Sequence, residues 1–181
     1  MTASDRDLLI RWKGGDVEAF LELARRSEPR VLAFLGAWTW DPGEREDLYQ
    51  ETLLRVFAGA RRLDPDAPFA FHTLAVARNL AVDRHRRRAV ERREAPRLAA
   101  REIATEGPEE NAVLKERRLE LLAALDRLEP PQREALALKL WGGLSWREVG
   151  RVLDCSEDSA ARRGAGALAR LATDLKDWRP A

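Results

Sequence analysis

Leucine and alanine recur every three or four residues through most of this chain, set among arginine and glutamate and interrupted by short glycine or proline breaks. That spacing keeps apolar side chains on one stripe of a helix and leaves the remaining surface to charge. Valine, isoleucine, threonine and tyrosine, which a sheet would use, are scarce. Hydrophobic residues make up 45% of the chain and charged residues 35%. There is enough apolar surface for a core, divided into narrow stripes. The expected fold class is all-α, and 181 residues allow one medium domain or two small ones.

The breaks divide the chain. Gly14-Gly15 closes a short helix from Asp5, and Asp16 caps the next. Pro29 is read as opening a further helix, carrying Val31, Leu32, Phe34 and Leu35. Asp41-Pro42-Gly43 is a turn, and the helical period resumes from Glu44 to Ala60, with Leu48, Thr52, Val56 and Leu53-Leu54 near one face. Leu63 to Pro68 is a proline-stiffened loop before a long helix from about Phe69. The period fades between Glu94 and Asn111 and returns from Ala112. The expectation is two small helical domains, 1–94 and 112–181, joined by a linker at 95–111.

Several functions are disfavoured by composition. A single cysteine, Cys155, permits no intramolecular disulfide and no cysteine-based zinc site, and two histidines make a poor metal centre. No cluster of nucleophile, base and oxyanion donor can be assembled, so no enzyme, cofactor or metal is expected. No apolar run reaches the roughly 18 residues of a membrane span, and Met1 to Asp16 lack the apolar core of a signal peptide. A cytoplasmic protein without membrane contact is the expectation.

Net charge is +1, but it is unevenly spread. Residues 78–101 hold nine basic side chains against three acidic, while residues 102–120 hold three against six. A local basic block of this kind can hold polyphosphate without making the whole surface adhesive. Near the C-terminus, Ser145 and Glu148 can form a capping box on a short helix, Asp154-Cys155 makes a corner, and Ser156 can cap a second helix carrying Ala160, Leu168 and Leu171. This is the layout of a DNA-binding helix-turn-helix, and equally of a plain helical hairpin.

Leu128-Glu-Pro-Pro-Gln-Arg-Glu-Ala-Leu136, Gly143-Leu-Ser-Trp-Arg-Glu-Val149 and Val152-Leu-Asp-Cys-Ser156 resemble region 4 of bacterial extracytoplasmic-function sigma factors. Gly15-Asp-Val-Glu-Ala-Phe20, Glu46-Asp-Leu-Tyr-Gln-Glu-Thr52 and Ala77-Arg-Asn-Leu-Ala-Val-Asp83, followed by arginines, are similar to region 2. The resemblance implies a promoter-specificity subunit whose partners are core RNA polymerase, duplex and melted promoter DNA, and an anti-sigma factor.

It assigns polymerase docking to Asp47, Gln50, Glu51 and Leu54; Asp47, Glu51 and Leu54 share a helical face. Contact with the minus-ten element falls to Asp64, Asp66, His72, Asn79, Asp83, Arg84, Arg86, Arg87 and Arg88. His72 stands where the family usually has tryptophan. Asn79 and Asp83, one turn apart, can read bases or simply bond each other. Contact with the minus-thirty-five element falls to Ser145, Arg147, Ser156, Ser159, Arg162 and Arg163. Ala161 and Gly166 stand where the family has basic residues, and Gly164 and Gly166 each weaken a helix interior by about 1 kcal/mol. A weakened grip there is expected. A stand-alone helix-turn-helix regulator and a polymerase-binding protein with impaired promoter recognition remain the competing readings. The six tryptophans are expected in packing rather than base stacking.

Overall fold

A computed structural model describes residues 3–94 and 112–176; the expected linker lies outside the described residues. The described chain is helical throughout: α1 (Asp5–Lys13), α2 (Val17–Leu35), α3 (Pro42–Ala58), a 3₁₀ turn (Ala60–Arg62), α4 (Phe69–Glu94), α5 (Ala112–Asp126), α6 (Pro130–Leu140), α7 (Trp146–Val152) and α8 (Glu157–Asp174). Helices α1–α4 pack mutually, as do α6–α8, with α5 against α8.

The starts are set by local chemistry. Asp16 accepts from the Ala19 amide, and Asp41 from those of Gly43 and Glu44. Ser145 and Glu148 form the expected capping box, and hydrogen bonds from Ser145 hold the Glu148 carboxyl below the usual range. Pro29 does not open a helix: α2 runs unbroken from Val17 to Leu35 around it. The proline is exposed, so water can serve the Arg25 carbonyl that loses its amide partner. The buried positions on both sides, Leu23, Ala24, Ser27, Val31 and Phe34, continue one stripe through the proline and hold the helix together.

Helices α1–α4 enclose an aromatic cluster in which Phe20 lies 4.7 Å from Trp12 and 5.0 Å from Phe57, with Phe69 edge-on to both Trp12 and Phe20. Tyr49 is buried in a second cluster with Val31, Phe34 and Leu48, its hydroxyl donating to the Ala24 carbonyl at 3.0 Å, and burial pushes its pKa up to about 12. In the second half the core is small: Ala124, Leu125, Leu128, Ala135 to Leu138, Leu144, Val149, Ala160, Ala167 and Leu171. Two apolar positions of the helical pattern face solvent: Leu54 is 70% exposed and Leu168 48%.

Charged side chains join the halves. Arg133, buried on α6, donates to the Ala37 carbonyl at 2.8 Å, pairs with Asp126 and lies over the Trp38 ring. Buried Glu134 takes Arg78 of α4, and Arg118 of α5 lies over Trp40. The tryptophans pack as expected: Trp12 and Trp38 are buried, Trp40, Trp141 and Trp146 are half-buried, and Trp178 lies outside the described residues.

Candidate nucleic-acid interface

Helices α3 and α4 lie side by side and form a cleft of about 270 Å³ lined by Glu44, Asp47, Glu51, Asp83, Arg84 and Arg87, among others. Asp47 and Glu51, expected to dock, and Asp83, Arg84 and Arg87, expected to face the strand, border this one feature. On α3, Asp47, Gln50, Glu51 and Leu54 are exposed. Gln50 donates to Glu46 and Glu51 pairs with Arg55 at 2.6 Å. Leu54, with neighbouring Phe57, adds apolar surface to the acidic face. A face of this mixed kind suits a basic partner helix with an apolar seam.

The α4 stripe does not present all its members to solvent. His72 is buried, and its Nε2 lies 2.8 Å from the Asp64 carbonyl oxygen, tying the helix to the loop before it. Burial holds its pKa below the ordinary histidine value. The ring is thus a brace for the loop. Asn79 is exposed and its Oδ1 accepts from Arg78 at 2.8 Å, so among the described hydrogen bonds it does not pair with Asp83.

The arginines divide into two sets. Arg86 and Arg87 are exposed, while Arg84 and Arg88 both reach Glu44 at the start of α3, at 2.8 and 2.7 Å. The loop residues are also engaged. Asp64 accepts from the Asp66 amide at 3.0 Å and faces Arg151 of α7 at 3.8 Å, and Asp66 pairs with Arg6 at 2.8 Å. These are exposed pairs, weak enough to exchange for another partner.

In the second half, Ser145 and Ser156 are spent on helix caps, Ser156 accepting from the Ser159 amide at 3.2 Å. Arg147 and Arg162 are exposed and Arg163 half-buried. The glycines of α8 have a packing reason that the sequence reading missed. A Cβ on Gly164 would stand 2.1 Å from the Trp146 ring, so α7 sits against α8 only because the side chain is absent. A Cβ on Gly166 would stand 2.9 Å from the flexible end of Gln132. Beyond Arg162 the exposed positions Ala165, Leu168, Ala169 and Ala172 carry no charge, and exposed Arg170 pairs with Asp174 at 3.4 Å. Among the described residues no helix is long and apolar enough to cross a membrane, and no group of side chains is suited to a metal ion.

The arrangement is that of a two-part helical DNA-binding factor, and relatives agree. A model of sigma-70 region 2 matches residues 23–91, and one of sigma-70 region 4 matches residues 118–171. The RNA polymerase sigma factor CarQ of Myxococcus xanthus is 32% identical over 92% of this chain and 96% of its own. The extracytoplasmic-function sigma factor SigC of Mycobacterium tuberculosis is 30% identical over 97% of this chain and 95% of its own. In fold the chain is similar to CnrH, seen in complex with the cytosolic domain of CnrY, with a TM-score of 0.76 at 21% identity over 98% of this chain and 100% of that one. It is likewise similar to the sigma factor RpoE of Bartonella quintana, seen with the anti-sigma factor NepR, with a TM-score of 0.65 at 22% identity over 90% and 97% of the two chains. The chain belongs to the extracytoplasmic-function sigma factors of bacterial RNA polymerase.

Proposed function

We propose that the chain performs its sigma-factor role, binding core RNA polymerase and directing promoter recognition, melting and initiation, through a division of labour between its halves. Residues 1–94 dock on polymerase through Asp47, Gln50, Glu51 and Leu54 and hold the opened strand on the basic end of α4. Residues 112–181 dock upstream, with a light grip on duplex DNA carried mainly by Arg162 and Arg163. The observation that carries this reading is the α3–α4 cleft, where exposed carboxylates and arginines border one another. Polymerase and strand would meet the protein at adjoining surfaces.

No bond is made or broken by the factor itself. Melting is favoured because unstacked bases and their phosphates gain partners that the duplex denies them. The loop from Leu63 to Pro68, braced by His72, is the candidate seat for a base turned out of the stack. An anti-sigma factor is a further proposed partner, supported by the complexes in which CnrH and RpoE were seen. The outer face of α8 is sparsely charged past Arg163, where Arg170 pairs with Asp174, and this favours a weak minus-thirty-five contact within this role.

Core-dependent transcription from a promoter library tests the proposal. Specific initiation is expected. Core-independent recognition of one duplex would replace it with a stand-alone regulator, and polymerase binding without initiation with a sigma-like interaction protein.

A further inference from the structure

Glu44 has no place in the docking face or the strand-facing set, yet it is the most constrained carboxylate between them. Its residue is 6% exposed. A carboxylate so far from water is stable only if each oxygen is satisfied by a donor or a cation. Here Oε1 accepts from Nε of Arg84 at 2.8 Å, while Oε2 takes the Thr39 hydroxyl and lies 2.7 Å from a terminal guanidinium nitrogen of Arg88. The carboxylate is itself fixed in space, because Asp41 caps the first turn of α3 through the amides of Gly43 and Glu44.

The two arginines are held without being buried. Their side chains remain 53% and 38% exposed. A guanidinium carries five N–H donors in a rigid planar fork. Glu44 takes one edge of each guanidinium, the exposed remainder keeps donors for another partner, and Arg84 lines the cleft together with Arg87. An unrestrained arginine gives up much of its rotamer freedom on binding a phosphate, whereas one already gripped has given it up on folding. Arg84 and Arg88 also sit one helical turn apart, so a single carboxylate aligns both in the same direction.

We propose that Glu44 is a positioning residue for the opened strand, gripping one edge of Arg84 and Arg88 so that their free edges are aimed at successive phosphates. The inference rests on the reading that the basic end of α4 receives that strand. It makes a prediction opposite in sign to simple electrostatics. Glu44→Gln keeps the size and an oxygen for Thr39 but raises the net charge by one, which by itself should tighten binding to a polyanion. Positioning requires binding to weaken.

The test measures fluorescence anisotropy of a labelled mixed-sequence single strand of about 20 nucleotides with the full chain, across a salt series. Glu44→Gln is expected to bind about five- to tenfold more weakly, with the salt slope shallower by about 1.4, the value for two lost phosphate contacts. Added to Arg84→Ala with Arg88→Ala, it should cost nothing more. Equal or tighter binding by Glu44→Gln, or a further loss in the triple variant, overturns the inference.

Should Glu44→Gln fail to fold in a circular-dichroism melt, Arg84→Lys with Arg88→Lys decides with Glu44 intact. Lysine keeps the charge but has no second edge, so an ammonium held by Glu44 cannot also take a phosphate; binding should weaken and the slope become shallower, and parental affinity overturns the inference. Removing Arg84, Arg86, Arg87 and Arg88 together separates the two levels. If strand binding survives, the reading of α4 fails; if it is abolished while Glu44→Gln binds normally, only the role of Glu44 fails.

Discussion

Helices α1–α4 and α5–α8 reach a buried core with different materials. The first set uses large buried rings, Trp12, Phe20 and Phe69, with half-open Phe57 against them, and lets long charged side chains brace the surface above. The second set uses alanine, leucine and glycine, so its helices approach closely and depend on exact size at each crossing. The difference carries over to the faces left outside. The front half displays arginines and carboxylates around a cleft, while the exposed residues of α8 past Arg162 are mostly alanine and leucine, with Arg170 paired to Asp174. A half built on side-chain reach can grip a charged partner; a half built on close approach is better suited to docking as a rigid body.

The largest effect should come from breaking the size match in the second half. Gly164→Leu places a side chain into the Trp146 ring and should cost about 3 kcal/mol or more of stability, read in a thermal melt. Trp146→Ala in the same chain should return part of it. A parental melt for Gly164→Leu would mean that α7 and α8 are not held by that contact.

Reversing charge on the front half comes next. Asp47→Lys with Glu51→Lys should weaken association with core polymerase by about a hundredfold in a surface-binding assay. Retained association removes the docking assignment. Arg86→Ala with Arg87→Ala should lower single-strand affinity about tenfold and flatten the salt slope by about 0.7 per contact. An unchanged slope excludes phosphate contact at those two positions.

Smaller effects sharpen the contrast. Without polymerase, the full chain should bind promoter duplex no better than the non-specific range of about 10⁻⁴ to 10⁻⁶ M. Ala161→Lys should improve that about threefold by restoring a cation near Arg162. Tight, specific duplex binding by the parent chain would overturn the weak-grip reading. Last is acid sensitivity at His72. Its folded pKa lies below the unfolded value, so its contribution is present above about 6.5 and lost as pH falls through the folded value. His72→Gln should flatten the stability profile in that window; an unaltered profile assigns the acid response elsewhere.

Much of the fold was legible because its signals are local. The caps at Asp16 and Ser145, the Gly14-Gly15 break and the turn at Asp41-Pro42-Gly43 depend on residues within one turn of each other. The helix through Pro29 was not, since the decision there belongs to a buried stripe that spans the proline and outweighs one missing amide. Nor could periodicity separate Leu54 and Leu168, which face solvent, from neighbours that do not.

At the candidate site, residue types and the face they share were readable, but their partners were not. Arg84 and Arg88 look like Arg86 and Arg87 in sequence, and only the approach of α3, forty residues earlier, commits them to Glu44. Arg133 and Glu134 are buried on α6 against Trp38, Ala37 and Arg78 from the other half, which no local signal on α6 announces. Gly164 looked like a mere weakening of α8 because the indole it accommodates lies eighteen residues earlier in the chain.

The seat of Trp146 on Gly164 has a consequence for engineering promoter choice. Recognition helices exchanged between relatives are a natural way to redirect a factor of this kind, but here a donor helix bearing any side chain at position 164 would arrive with a bump and no hollow. Residues 146 and 164 therefore form a single cassette that must be transplanted together, and a chimaera that moves one without the other would fail for want of room before its DNA preference could be read.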